Sequence, residues 1–286
     1  MDQTEIVNII IETINSIFSN LFSSIDNNIY EYLDDFTFIN TNIIDSSFFE
    51  KLLGANGKNG IIYLSDALLV GVILYYSIRY MYSTFSGSFT EKPSQFVLRT
   101  IILGIIINGS YFICEQMLNI NYLLSESIRE IGSSVIDLDI SFAELINRLN
   151  STISVGNNSF DLFSFDGIIK SFISVGLLNL LFSYSLRYIM LQVFILSCPL
   201  VFLSLMNSST YWIFKSWLKI FLSLLLLQSF VSLILIVMLS FDESNKLLLI
   251  GAIYALIRAN NYMRDLIGGI NIDVSASISS FVSSLK

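Results

Sequence analysis

Apolar residues in this chain come in long runs rather than in the alternating or one-sided patterns of water-facing strands and helices. A helix needs roughly 20 apolar residues to cross a hydrocarbon core of about 30 Å. Ile61 to Tyr82 meets that length. A short polar turn, SGSFTEKPS, whose Pro93 stops one helix and lets the next begin, separates it from a second run, Phe96 to Leu118. A polar stretch from Asn119 to Asp166 follows, then an apolar one from Gly167 to Met206 with Arg187 in its middle. Phe221 to Leu239 is the cleanest run, and between Ile220 and Leu239 fifteen residues are Leu, Ile, Phe or Val. Each contributes on the order of −0.3 to −0.6 kcal/mol near the bilayer centre, against about +3 for one charge, so insertion wins. Leu247 to Ile257 is short for a span and reads equally as a buried or interfacial helix. The pattern predicts an all-α polytopic helical membrane protein of about five crossings with amphipathic external helices.

The stretch from Gly167 to Met206 has two parsings. Arg187 marks a tight cytoplasmic hairpin, or the whole is one long helix or a span with a re-entrant continuation. No Gly or Pro lies between Leu177 and Cys198, which favours continuity, although at 1.5 Å per residue such a helix reaches nearly twice the bilayer core. The hairpin would leave Lys215 and Lys219 outside. Continuity puts them inside, with Asp242 and Glu243 outside. Both parsings give five crossings. Pro199 removes a backbone donor and is expected to kink its helix. Met190, Met206 and Met238 read as packing residues.

Upstream of the first span, Ile6, Ile10, Ile14, Ile17, Leu21 and Ile25 recur at helical spacing with Asn8, Glu12, Asn15, Ser19 and Ser23 opposite. This amphipathic helix lacks a basic polar face, so it is expected to pack on protein or lie on the outer leaflet. With Asp2, Glu5 and Glu12 and no Lys or Arg in the first thirty residues, no cleaved secretory signal is expected. In the polar stretch, Leu124, Ile128, Ile131 and Val135 share a helical face, and Ser141 with Glu144 has the spacing of a capping box before Leu145, Ile146 and Leu149. These two helices form a vestibule or docking surface, or simply cap the bundle. Asn157, Asn158 and Asp161 read as turn residues. LGANGKNG at 53–60 lacks phosphate-loop spacing and reads as a turn.

Composition narrows the chemistry. Hydrophobic residues make up 54% of the 286 and charged ones 13%, about half the usual soluble share, which excludes a soluble domain. There is no histidine, which removes imidazole acid–base chemistry and His-ligated metal. Cys114 and Cys198 both lie in apolar runs, so neither a disulfide framework nor a zinc site is expected. With no nucleotide motif either, no enzyme activity and no cofactor are expected. The net charge of −8 argues against a nucleic-acid surface.

Charge also sets orientation. Residues 1–60 and 119–166 hold 16 acidic and 4 basic residues, and the remainder 7 acidic and 11 basic. The Lys/Arg-poor regions are expected outside. The organisation expected is then an external amphipathic region 1–60, two transmembrane helices in 61–118, an external helical loop 119–166, a C-terminal transmembrane block 167–264, and a cytoplasmic tail 265–286. Polar groups inside apolar runs carry the functional hypotheses, because they are costly in lipid. Asp66, Asn108, Glu115, Arg187, Gln192 and Gln228 either line a hydrated path and pair across helices, or sit at the interfaces. For Asp66 and Glu115 the outer interface is the stronger reading.

RYIMLQVFILSCPLVFL, from Arg187 to Leu203, followed by TYWIFKSWLKIF, from Thr210 to Phe221, resembles the TrbL-like polytopic inner-membrane subunits of type IV secretion and conjugation systems. The matching positions are Arg187, Tyr188, Pro199, Thr210, Trp217 and Lys219. The match is specific over about 35 residues and architectural elsewhere; this chain lacks the long hydrophilic tail frequent in that family. The resemblance implies a non-enzymatic, oligomeric channel or scaffold subunit of the bacterial cytoplasmic membrane. It also implies secretion ATPases and other secretion subunits as partners, and only transient contact with transferred DNA or protein. Alternatives are a stand-alone transporter or permease, a holin-like pore-former, and a scaffold that only positions partners. The transporter is disfavoured because no repeat relates the first two spans to the later block.

Overall fold

The computed structural model describes residues 9, 11–13, 15–17, 20, 32–44, 47–54, 60–87, 92–152, 165–241 and 246–267. Every regular element among them is helical. α1, described over 32–37, is followed by a 3-10 turn, Thr41–Ile43, and α2, Ser47–Leu53. Then come α3, Ile61–Ser86; α4, Pro93–Asn108; α5, Ser110–Ile136; and α6, Phe142–Thr152. Last are α7, Phe165–Leu203, with a 3-10 turn at Ser204–Met206; α8, Tyr211–Leu239; and α9, Lys246–Ile267.

Three helical stretches, Ile61–Ser86, Gly167–Met206 and Tyr211–Leu239, are long and apolar enough to cross a membrane. A fourth crossing is added if α4 and α5 are one bent span. The Arg187 hairpin is not formed: α7 is one helix of 39 residues, about 58 Å at 1.5 Å per residue, and it stays helical through Pro199. It is the axis of the molecule, touching α3, α4, α5, α8 and α9, while α8 lies between α5 and α9.

The run from Phe96 to Leu118 is not one straight helix. It breaks at Gly109, where α4 and α5 meet at 58°. Asn108 donates to the carbonyl of Gly104 at 3.0 Å, and a Gly–Ser step at the bend offers little resistance to the change in direction. Beyond it α5 continues to Ile136, across the boundary at residue 118 where the apolar run stops.

The α5 face read as a vestibule, a docking surface or a cap is turned outward. Leu124, Ile131 and Val135 are exposed, and the buried stripe is Cys114, Leu118, Asn121, Ser125 and Gly132. Small and polar residues thus pack inward and large apolar ones outward, the sense favoured where lipid removes any hydrophobic drive between helices. Gly132 is needed there, because a Cβ would lie 2.5 Å from Ile236 of α8. α6 matches expectation better. Phe142, Leu145, Ile146 and Leu149 are buried, and the Ser141 hydroxyl accepts from the Glu144 amide at 3.2 Å. The Glu144 carboxylate faces Arg148 instead of closing the box.

Two buried apolar cores are stacked along α7. One gathers Ile169 to Tyr184 of α7 with Leu227 to Leu239 of α8, α6 and α9. The other gathers Leu191 to Phe202 of α7 with Trp217 to Leu225 of α8, α2 and the start of α5. Gly54 has φ +82°, and a Cβ on Gly60 would lie 2.4 Å from Gly54 Cα, so these two backbones approach closely. The expectations for Ile6, Ile10, Ile14, Leu21, Ile25, Asn157, Asn158, Asp161, Asp242, Glu243 and most of 265–286 lie outside the described residues.

Candidate functional site

At the junction of the two cores α7 presents Arg187, only 1% exposed. A guanidinium carries five N–H donors and no acceptor, so burial obliges it to find oxygens. Here those oxygens are backbone carbonyls. Nε donates to Leu224 of α8 at 2.8 Å, and Nη1 to Thr37 at 2.9 Å and Phe36 at 3.3 Å. The last two carbonyls end α1, where helix geometry leaves them without an intrahelical partner and the helix dipole favours a cation. Arg187 is therefore packed inside the bundle rather than free on its surface. It ties α7 to α8 and to a segment 150 residues earlier in the chain.

One turn along α8 from Leu224 lies Gln228, also buried. Its amide nitrogen donates to Ser125 Oγ at 2.8 Å and, at 3.5 Å, to the carbonyl of Asn121, both on α5. Ser229 donates to Asn121 Oδ1 at 3.5 Å, and Ser232 back to the Gln228 carbonyl at 3.0 Å. Three buried polar atoms of this network have no hydrogen-bond partner: Arg187 Nη2, Asn121 Nδ2 and Thr37 Oγ1. Each carries roughly 1–3 kcal/mol of unrecovered desolvation, so the site is satisfied only in part.

A second polar contact fixes the same N-terminal segment. Asp34 of α1 accepts from the Phe142 amide at 3.1 Å, an anion placed at the N-terminus of α6. Burial raises its pKa to about 6, opposed by the Phe142 amide and by Arg129, and Asp139 adds to the rise. Arg129 lies 4.3 Å over the Phe38 ring and donates to the Ile140 carbonyl at 2.7 Å.

The other polar residues singled out in the sequence do not join this network. Asn108 donates to Asp66 at 3.2 Å, pairing α4 with α3. Glu115 and Gln192 are half-buried elsewhere. Of the resemblance positions, Trp217 is packed inside the bundle. It is 6% exposed, stacks on Phe221 at 4.9 Å, and donates to the Phe194 carbonyl and Ser197 Oγ. Tyr188 packs its ring 5.4 Å from Phe36, and Thr210, at the N-cap position of α8, makes no side-chain bond to that helix and donates back to the Ser204 carbonyl at 2.7 Å. Pro199 lies inside α7, and Lys219 is exposed. Sequence reasoning missed Thr37, Asn121, Ser125, Ser229 and Ser232. The signal for the last four was Asn/Ser at i, i+4 in α5 facing Gln/Ser/Ser in an otherwise apolar α8.

Among the described residues no three His, Cys, Asp or Glu side chains gather into a metal-sized group. The arrangement holds helices together and presents hydrogen-bond donors to the interior. The chain matches no known protein-family model, no curated protein and no solved structure.

Proposed function

We propose that the chain is a non-enzymatic channel or scaffold subunit of a type IV secretion machine in the bacterial cytoplasmic membrane, energised by partner ATPases. Carrying this reading is α3: apolar along its length, it buries only Ile62, Ser65, Leu69 and Ser83 against the rest of the chain. A helix hydrophobic on every side needs lipid or neighbouring subunits around it. The packed positions of Arg187, Trp217 and Thr210 support a structural use of the residues that carry the resemblance. In this reading α9 is the fifth crossing, the N-terminus and the α6 region face outside, and the C-terminus is cytoplasmic. Transferred DNA or protein meets the chain only transiently, within an oligomeric conduit.

The test is purification in mild detergent from the native host. Co-purification of a secretion ATPase and other transfer subunits supports the proposal. A monomer that moves a solute into vesicles by itself favours the transporter alternative and overturns it. Impermeant thiol labelling of Ser141→Cys in whole cells checks orientation, and a protected thiol there reverses it.

A further inference from the structure

We propose that residues 32–44 are a plug seated on the polar network, and that its withdrawal opens a path for small monovalent anions between α5, α7 and α8. The inference deepens the membrane-subunit reading and rests on the chain spanning a bilayer, not on which machine it serves.

The segment crosses the junction of the two cores. Leu33 and Phe38 belong to one, and Ile39, Ile43 and Ile44 to the other. Its polar attachments are few and separable: the two carbonyls held by Arg187, the Asp34 carboxylate on the Phe142 amide, and the Phe38 ring beneath Arg129. It meets the network at Arg187, from which Leu224 and Gln228 of the otherwise apolar α8 lead to Asn121 and Ser125 of α5. A bundle interior meant to stay dry has no need of an arginine without a carboxylate, nor of an amide donor without an acceptor.

The orphaned groups point to what would enter. Arg187 Nη2 and Asn121 Nδ2, on the helices that remain when the segment leaves, sit on residues at most 5% exposed, and both can only donate. The first is cationic. No carboxylate contacts Arg187, Gln228, Asn121 or Ser125 in the network described above. Donors without counter-charge select anions over cations, as arginine-lined pores do. With α1 seated, these donors go unmet. With α1 withdrawn, water and a chloride-sized anion satisfy them.

Two readouts on the purified full-length chain test this. In a background of Cys114→Ser and Cys198→Ser, Asn121→Cys is expected to react slowly with a water-soluble methanethiosulfonate. Adding Asp34→Ala, which frees the plug from α6, is expected to raise that rate at least tenfold. In vesicles of neutral lipid, Asp34→Ala is expected to admit chloride at least tenfold faster than the parent, and potassium no faster. If Asp34→Ala does not fold, Phe38→Ala loosens the same seat without touching either clamp and takes its place. A helical, monodisperse variant that labels at the parental rate overturns the plug. Equal passage of potassium and chloride overturns the anion path. Neither readout needs partner subunits, so failure here is distinct from failure to recover a secretion ATPase.

Discussion

Replacing Arg187 with leucine separates the tie described here from a positive residue that merely marks topology. The substitution deletes three donated bonds. Leu224 lies within α8, where its carbonyl already accepts along the helix, so the third bond is worth about 1 kcal/mol. The carbonyls of Phe36 and Thr37 end α1 beside a fully buried Thr37, and stranding them costs roughly 1–3 kcal/mol each. Against this stands a gain, since a guanidinium with an unbonded Nη2 leaves the interior and its desolvation cost of several kcal/mol goes with it. Leucine does not fill the space of the longer side chain, which adds a cavity term of about 1 kcal/mol. The expected net loss is about 2–4 kcal/mol, or an apparent Tm lower by roughly 5–10 °C for a chain of this size. Thermal unfolding in detergent, followed by far-UV circular dichroism, measures it. Arg187→Lys is expected to fall between, because one ammonium cannot reach both α8 and α1. A leucine variant as stable as the parent would refute the argument and leave Arg187 as a mark of topology.

Three further outcomes are expected. Trp217→Ala removes a buried ring stacked on Phe221 and one N–H shared between the Phe194 carbonyl and Ser197 Oγ, and should destabilise by about 3–5 kcal/mol in the same assay, whereas a lipid-facing tryptophan would lose far less. Gly132→Ala places a methyl 2.5 Å from Ile236 and should cost about 1–3 kcal/mol through separation of α5 from α8, read as faster proteolysis of the α5 region. For Asp34 the sign follows from a pKa raised from 3.8 to about 6, so between those values the folded chain holds a proton that the unfolded chain releases. Stability should therefore fall by roughly 3 kcal/mol as pH rises from about 4 to above 6. Asp34→Asn should flatten that profile, and an unchanged profile would assign it to other groups.

Much of the architecture was legible in the residue pattern, because crossing a bilayer imposes length and apolarity on local sequence. The runs at Ile61, Gly167 and Phe221 announced helices, and the absence of Gly and Pro between Leu177 and Cys198 favoured the single long α7 over a hairpin. The Ser141–Glu144 spacing located the start of α6, since a cap is a contact between near neighbours. Arg187 and Gln228 stood out as costly groups in apolar surroundings. At α5 the pattern left docking surface and cap both open, and Leu124, Ile131 and Val135 face out, because periodicity in one helix does not say which neighbour covers its apolar face. The bend at Gly109 was missed because hydropathy does not register direction.

What only tertiary structure decided is which distant groups meet. The carbonyls that hold Arg187 come from residues 150 positions away, and backbone oxygens leave no mark on side-chain pattern. The pairing of Asn121 and Ser125 with Gln228, the seating of residues 32–44 across two cores, and the burial of Trp217 depend likewise on how helices of similar composition are placed side by side. Sequence fixes the solvent a helix prefers, because transfer free energy sums residue by residue. Partner choice is a matter of shape and of unsatisfied donors, and those exist only once the helices are in contact.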